Sequence, residues 1–206
     1  PTRKNAQIVG KAMGSYWPHG DSSIYGTQVV ASQWFKNNIS TVDFQGNNGS
    51  LDGDGAAAYR YTESRLTKMG QRMVEDVKND TIDMRPNYNN DDEWPKVLPA
   101  DWPVLFTNGH FGIAYGYSTK IAMFNPYELM EAAIYLNKNE NARLSTLLKH
   151  YIKGPDFPTG GTIFGNEGLQ ALYETGKGSF DIRAKTEFDG DDIVITEIPY
   201  GVTITS

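Results

Sequence analysis

The stretch Ala57-Ala58-Tyr59-Arg60-Tyr61-Thr62-Glu63 is the most informative part of this 206-residue chain. A tyrosine hydroxyl has an ordinary pKa of about 10, so it needs a nearby cation to attack phosphate. Arg60 can supply that cation, because its planar fork binds two phosphate oxygens and stays charged at every working pH. We therefore predict Tyr61 as a nucleophile. An Arg-Tyr pair alone is also typical of a packing tyrosine, so the surrounding motifs decide between the two.

Composition predicts one mixed domain or two small ones. The chain has 39% hydrophobic residues, 21 glycines and 10 prolines, which indicates many turns without low complexity. It has no cysteine, which excludes disulfides and thiolate metal sites and favours a reducing cytoplasm. No apolar run approaches the ~20 residues that cross a bilayer. Because the chain starts at Pro1 and ends soon after the last predicted strand, we expect a piece of a longer protein.

The net charge of −6 by itself argues against a polyanionic partner. The charge is unevenly distributed, however. Residues 1–72 hold 8 Lys or Arg against 5 Asp or Glu, whereas residues 73–206 hold 11 against 20. The basic first third can therefore still bind nucleic acid.

Hydrophobic periodicity and turn signals predict an α+β fold. In the first half we expect helices over 6–15 and 21–33, a strand over 41–44, a Gly/Asn/Asp loop over 45–55 and a long helix from Thr62 with core contacts at Leu66, Met69, Met73 and Val77. That last helix would place Tyr61 at a helix N-terminus, where an anion is favoured. The first two helices are a helix-turn-helix candidate, with an ordinary helical hairpin as the alternative.

An acidic, proline-bearing connection over 85–103 marks a predicted domain boundary. Beyond it we expect strands over 105–107 and 112–117, helices over 127–136, 144–152 and 166–174, and a hairpin that turns at 189–191. No internal repeat is visible.

Several motifs, in the same order along the chain, resemble the A-type component of bacterial type IIA DNA topoisomerases, the family of DNA gyrase and topoisomerase IV. They are His19-Gly20-Asp21-Ser22, Gln45-Gly46-Asn47, Gly49-Ser50, Asp52-Gly53-Asp54, Arg60-Tyr61-Thr62-Glu63, Asn108-Gly109, Gly112-Ile113-Ala114, 154–159 and Glu197-Ile198-Pro199-Tyr200. The resemblance covers nearly the whole chain. It implies a winged-helix DNA-cleavage domain over 1–98, lacking its N-terminal part, and part of an α/β tower domain over 99–206.

The resemblance also implies roles for individual residues. Tyr61 would form a 5′-phosphotyrosyl bond to DNA, Arg60 would hold the phosphate oxygens, and His19 would stabilise the transition state or move a proton. The implied DNA-binding residues are Lys4, Ser22, Ser23, Gln45 and Ile113. Ile113 would enter between base pairs as an apolar wedge, and a buried strand isoleucine is the alternative.

Cofactors and partners follow from the same resemblance. Mg²⁺ and ATP would both be bound by a partner B subunit, and this chain would bind neither. The chain would act as a homodimer on double-stranded DNA. It would be a cytoplasmic, nucleoid-associated protein. Asp52 and Asp54 have the spacing of a magnesium pair, yet the family uses this loop structurally. The three histidines, His19, His110 and His150, show no ligand spacing.

The chain departs from the family pattern at several positions. Gln7, Val30 and Asn38 replace residues that are usually basic, Trp17 replaces a histidine, and Gly26 stands four positions after Ser22 where an acidic residue helps to anchor fluoroquinolones. We expect weaker DNA binding and weak quinolone sensitivity. The alternative function is a non-catalytic double-stranded DNA-binding module or regulator, and a third is a plain interaction domain with a core tyrosine.

Overall fold

A computed structural model describes residues 1–206 and divides them into two compact units. The first unit comprises Pro1–Ser50 and Asp54–Val104, and the second comprises Leu51–Gly53 and Leu105–Ser206. The mixture of helices and small antiparallel sheets confirms the predicted α+β class. No helix is long and apolar enough to cross a membrane.

The first unit is a helical pair packed against a small sheet. Its elements are β1 (Arg3–Lys4), α1 (Asn5–Ser15), α2 (Asp21–Ser32), β2 (Val42–Gln45), β3 (Glu63–Leu66), α3 (Lys68–Arg72), a 3-10 helix (Glu75–Asn79), β4 (Met84–Pro86) and β5 (Glu93–Pro95). The antiparallel sheet has the strand order β1-β3-β2, and β4 pairs with β5. The buried apolar residues of the first unit are Val9, Val29, Phe35 and Trp102.

The predicted long helix from Thr62 is wrong. Residues Glu63–Leu66 form the central strand β3, and the helix that follows has only five residues. Leu66 is an exposed strand residue and not a core contact of a helix. Pairing with strands far away in the sequence overrides the local periodicity here. Tyr61 therefore precedes a strand and does not lie at the N-terminus of the predicted helix.

The predicted connection over 85–103 is a folded hairpin rather than a linker. Strands β4 and β5 frame a loop that holds the end of α1, where the Asn87 Nδ2 group donates to the Ser15 carbonyl at 2.9 Å. The Tyr88 hydroxyl donates to the Gly14 carbonyl, and the Tyr16 hydroxyl donates to the Asp92 carboxylate. The division between the compact units falls after this hairpin.

The second unit consists of hairpins and short helices. Its elements are α4 (Val104–Thr107, which begins at the last residue of the first unit), β6 (His110–Ala114), β7 (Tyr117–Ile121), α5 (Pro126–Lys138), α6 (Leu144–His150), β8 (Thr162–Phe164), α7 (Asn166–Thr175), β9 (Asp181–Arg183), β10 (Lys185–Asp189) and β11 (Asp192–Glu197). Buried apolar side chains are Met123, Phe124 and Ala132. The three predicted helices and the last hairpin are confirmed, whereas the predicted strand over 105–107 is helical.

Candidate functional site

Tyr61 lies in a turn directly before β3, with its side chain open to solvent. The residue is 68% exposed, and its backbone N–H donates to the Ala58 carbonyl at 2.9 Å. The Arg60 guanidinium carbon lies 4.6 Å from the centroid of the Tyr61 ring, which is a cation–π contact. The two predicted reactive groups are therefore adjacent. The exposure of the Tyr61 side chain excludes the alternative of a tyrosine packed in the core.

The residues on either side of this exposed pair are firmly held. Thr62 is fully buried, and its hydroxyl accepts a hydrogen bond from Asn5 Nδ2 at 2.8 Å. Its carbonyl accepts the Asn5 backbone N–H at 3.0 Å, which satisfies one free donor at the start of α1. The Tyr25 hydroxyl donates to the Ala57 carbonyl at 2.6 Å and lies 2.9 Å from the Thr62 hydroxyl. Helices α1 and α2 thus clamp the turn that presents Tyr61.

A second layer of polar contacts supports this clamp. The fully buried Asn5 side chain accepts from Gln28 Nε2 and from the Ser64 hydroxyl, both at 2.7 Å. Gln28 also contacts the Ser64 hydroxyl. We define Asn5, Tyr25, Gln28, Thr62 and Ser64 as the buried polar network. Sequence reasoning missed it, although Tyr25 and Gln28 share one face of α2 at helical spacing.

His19, Ser22 and Ser23 lie at the turn between α1 and α2. The His19 ring is exposed, and its centroid lies 4.7 Å from that of Trp17. Ser22 donates its backbone N–H to Asp21 Oδ1 at 2.8 Å, and the Ser23 hydroxyl donates to the Gly20 carbonyl at 2.8 Å. All three predicted side chains are exposed at one end of α2.

Asp21 and Tyr59 connect this turn to the candidate nucleophile. A hydrogen bond from the Tyr59 hydroxyl to the Asp21 carboxylate raises the pKa of Tyr59 above its ordinary value. The Tyr59 ring also meets the Tyr25 ring edge-on, with the centroids 5.7 Å apart. The structure thereby joins the segment that carries His19 and Ser22 to the segment that carries Arg60 and Tyr61.

Lys4 and Gln45 flank Glu63 in the sheet. Both pair with Glu63 in the strand register, one from β1 and the other from β2. The Lys4 ammonium lies 2.8 Å from a Glu63 carboxylate oxygen, and the Thr2 hydroxyl donates to the other oxygen at 2.7 Å. The hydrogen bond from Lys4, followed by that from Thr2, lowers the pKa of Glu63. Lys4 therefore has an anionic partner of its own, with which a DNA phosphate would compete.

The Gly/Asn/Asp loop is an ordered connection between β2 and the Tyr61 turn. Gly46 adopts a φ of +113°, and a Cβ at this position would lie 2.9 Å from the Thr62 methyl group. The Asp54 carboxylate accepts the Ser50 hydroxyl, which lowers the pKa of Asp54. Asp52 accepts the Thr205 hydroxyl through its backbone carbonyl at 2.9 Å. No group of three His, Asp or Glu side chains that could hold a metal ion occurs in residues 1–206.

Ile113 belongs to the second unit and lies near the tip of the β6–β7 hairpin. It pairs with Ser118 across the hairpin and is 76% exposed. The alternative of a buried strand isoleucine is therefore wrong. The exposure leaves the side chain able to contact a partner.

The exposed Tyr61 beside Arg60, on an α+β scaffold, leaves the phenol open to a solvent-borne partner. The chain belongs to the family of the DNA gyrase and topoisomerase IV A subunits, whose model matches residues 1–206. The predicted family is therefore confirmed.

Individual relatives match the chain along nearly its whole length. It is 46% identical to the DNA gyrase A subunit of Granulibacter bethesdensis and 47% identical to the DNA gyrase A subunit of Leptospira biflexa, each over 98% of the chain. It is also 47% identical to the DNA topoisomerase 4 A subunit of Mycoplasma pneumoniae over 97% of the chain. The matches cover 22%, 24% and 26% of these relatives, so the chain spans about a quarter of their length. These names do not favour the alternative of a non-catalytic module.

Proposed function

We propose that this chain is the DNA breakage-and-rejoining part of the A subunit of a type II DNA topoisomerase. The observation that carries the proposal is the solvent-exposed Tyr61 side chain, whose ring contacts the Arg60 guanidinium and whose neighbour Thr62 belongs to the buried polar network. Membership of the family of DNA gyrase and topoisomerase IV A subunits supports the same assignment.

The chemistry is a reversible transesterification at a DNA phosphate. The Tyr61 oxygen attacks the phosphorus and releases its proton, while the bond from phosphorus to the 3′ oxygen breaks and that oxygen takes up a proton. The products are a 5′-phosphotyrosyl ester and a free 3′-hydroxyl. Because one phosphate ester replaces another, the 3′-hydroxyl can reverse the reaction without any energy input.

Arg60 and His19 assist this step in the proposed mechanism. The Arg60 fork donates hydrogen bonds to the phosphate oxygens, where negative charge builds as the new bond forms. Its guanidinium carbon lies 4.6 Å from the centroid of the Tyr61 ring, so the cation is close to the phenol. The exposed His19 imidazole stabilises the transition state or moves a proton, since its ring nitrogens can both donate and accept hydrogen bonds.

DNA contacts, domains and partners complete the proposal. Residues 1–98 are a winged-helix domain and residues 99–206 part of a tower domain, and double-stranded DNA is bound through Lys4, Ser22, Ser23, Gln45 and Ile113. Two copies of the parent protein work together, because a double-strand break needs one tyrosine for each strand. A B-type subunit binds the Mg²⁺ and ATP that the assembled cytoplasmic enzyme uses to change DNA topology.

The test is covalent capture of DNA by the full-length parent protein assembled with its B subunit. Supercoiled DNA, Mg²⁺ and ATP are added, the reaction is stopped with detergent, and protein joined to the 5′ ends of the DNA is quantified. Tyr61→Phe removes only the nucleophilic oxygen and is expected to reduce the adduct by more than about a thousandfold. Tyr59→Phe is the matched control, because its hydroxyl is bonded to Asp21 and takes no part in the attack.

The proposal depends on a difference between these two variants. Tyr59→Phe should retain adduct formation within about an order of magnitude, since it removes one hydrogen bond of a half-buried side chain and leaves the ring in place. An adduct that persists in Tyr61→Phe would show that another group is the nucleophile.

A further inference from the structure

The β6–β7 hairpin carries three exposed aromatic side chains that the proposed function leaves without a role. They are Phe111, Tyr115 and Tyr117, of which Tyr115 is fully exposed at the turn and Tyr117 is 82% exposed. Gly116, with a φ of +76°, allows the tight turn between the strands. Large apolar rings clustered at the surface mark interaction sites, so this hairpin is a candidate binding surface.

The strand register distributes the rings around the hairpin tip. Phe111 and Ile113 are two residues apart in β6 and so lie on one face, with Phe111 opposite Lys120. Tyr117 lies opposite Ala114, which places its ring on the other face. Apolar and aromatic groups therefore project from both faces of the hairpin near Ile113. The Lys120 ammonium group belongs to the face that carries Phe111 and Ile113.

The charge around the hairpin fits a negatively charged partner. No Asp or Glu occurs in residues 102–127, although residues 73–206 hold 20 of them. The second exposed hairpin, β10–β11, has a contrasting pattern: its exposed Phe188 lies between Glu187 and Asp189, and its exposed Ile193 follows Asp192. A hairpin segment that itself contains no acidic residue adds no repulsion of a phosphate backbone.

We propose that Phe111, Tyr115 and Tyr117 contact DNA by stacking on bases at the step where the hairpin tip enters the duplex. DNA as the occupant rests on the proposed function, whereas the aromatic contacts extend it. Opening a base step costs stacking energy, and protein rings placed against the exposed base faces offset that cost. Such contacts tolerate any sequence, because every base has a π face.

The experiment measures the affinity of the full-length parent protein, assembled with its B subunit, for a fluorescent DNA duplex by anisotropy over a salt series. Tyr115→Ala and Tyr117→Ala are each expected to weaken binding about tenfold, and Tyr115→Phe to retain wild-type affinity because the ring remains. Phe188→Ala is the matched control, since its 84% exposed ring lies on the acidic hairpin, and we expect no change.

Salt dependence separates stacking from charge. The slope of log affinity against log salt should be the same for the aromatic variants and the wild type, whereas Lys120→Ala should reduce it by about 1. Base stacking is indicated if the alanine variants lose affinity with an unchanged salt slope and Tyr115→Phe retains the wild-type affinity. A merely structural role for the rings would not give this combination.

Three results would overturn the inference. The first is unchanged DNA affinity in both alanine variants, and the second is a wild-type chain that does not bind the duplex. The third is that the alanine variants lose binding only to vesicles of anionic phospholipid, which would assign the hairpin to a lipid surface. Failure of the proposed function is distinct, because it appears as a missing Tyr61 adduct. A chain that binds DNA through these rings without forming the adduct supports the inference alone.

Discussion

Substitution of Asn5 by alanine tests directly whether the buried polar network holds the Tyr61 turn. The Asn5 side chain makes three hydrogen bonds in a fully buried position, accepting from Gln28 and Ser64 at 2.7 Å and donating to Thr62 at 2.8 Å. Asn5→Ala removes all three and keeps the backbone bond to the Thr62 carbonyl. The helix start itself is therefore preserved.

The expected loss of stability follows from these three bonds. A buried hydrogen bond contributes about 1 kcal/mol net, so their removal should lower the free energy of unfolding of the first unit by about 3 kcal/mol. The former partners are not left entirely unpaired. Gln28 still contacts the Ser64 hydroxyl, and the Thr62 hydroxyl still lies 2.9 Å from that of Tyr25. The larger penalty of isolated buried donors is therefore not expected.

The assay is urea unfolding followed by tryptophan fluorescence. All four tryptophans of the chain lie in the first unit, so their fluorescence reports that unit. Asn79→Ala is the control, because Asn79 makes an exposed hydrogen bond to Asp76 and should change stability by less than about 0.5 kcal/mol.

In the proposed parent enzyme, Asn5→Ala should reduce DNA cleavage about a hundredfold, since a shift of the nucleophile by ~1 Å costs that much. The reasoning is refuted if the Asn5→Ala protein unfolds within about 0.5 kcal/mol of the wild type.

Three further substitutions test other features of the site. Gly46→Ala should lower the free energy of unfolding by about 2 kcal/mol in the same urea assay, because the φ of +113° is strained for alanine and the new Cβ would lie 2.9 Å from the Thr62 methyl group; a neutral substitution would contradict this. The pKa of Glu63 is lowered in the folded state, so its ion pair with Lys4 stabilises the fold above the ordinary pKa of about 4, and this stabilisation is lost as pH falls through the folded-state pKa. Glu63→Gln should therefore make the free energy of unfolding less dependent on pH in the acid range, and an equally steep dependence would argue against it. Gly26→Glu should increase trapping of cleaved DNA by ciprofloxacin in the parent enzyme, because Gly26 lies one turn after Ser22 with open space at its Cβ, and equal trapping by both proteins would discard the idea.

Elements with local sequence signals were predicted from the sequence. The Asn125 side chain accepts the N–H groups of Tyr127 and Glu128 and so caps α5, which begins at Pro126, one residue before the predicted start. Gly176 ends α7 in the left-handed conformation, with a φ of +73°. These residues fix the helix ends by contacts within a few positions, so a single sequence contains the necessary information.

Elements that depend on distant pairing were not predictable in the same way. The strand β3 lies between Lys4 on one side and Gln45 on the other, in positions that nothing near Glu63 specifies. Its apolar spacing imitates a helix, because Leu66 and Met69 fall three residues apart. Only the contacts of the folded sheet show that Ser64 is buried and hydrogen-bonded.

The candidate site shows the same division between local and distant information. Tyr61 and Arg60 are neighbours in sequence, so their pairing could be predicted from it. Asn5 supports them from more than fifty positions away, and no local pattern marks a helix-start asparagine as buried. An asparagine before an apolar stretch more commonly faces solvent, which is why the buried polar network was missed.

The contrast between the exposed Tyr61 and its fully buried neighbour Thr62 explains why the network is polar. A DNA phosphate cannot enter a deep pocket, so a tyrosine that attacks it must project into solvent and cannot be fixed by packing around its own ring. Its position must come from the backbone beside it. Directional hydrogen bonds from α1 and α2 specify one arrangement of that backbone more strictly than apolar contacts of similar area would. Because His19 precedes α2, Ser22 lies in its first turn and Tyr25 of the same helix contacts the Thr62 hydroxyl, one helix supports both parts of the candidate site.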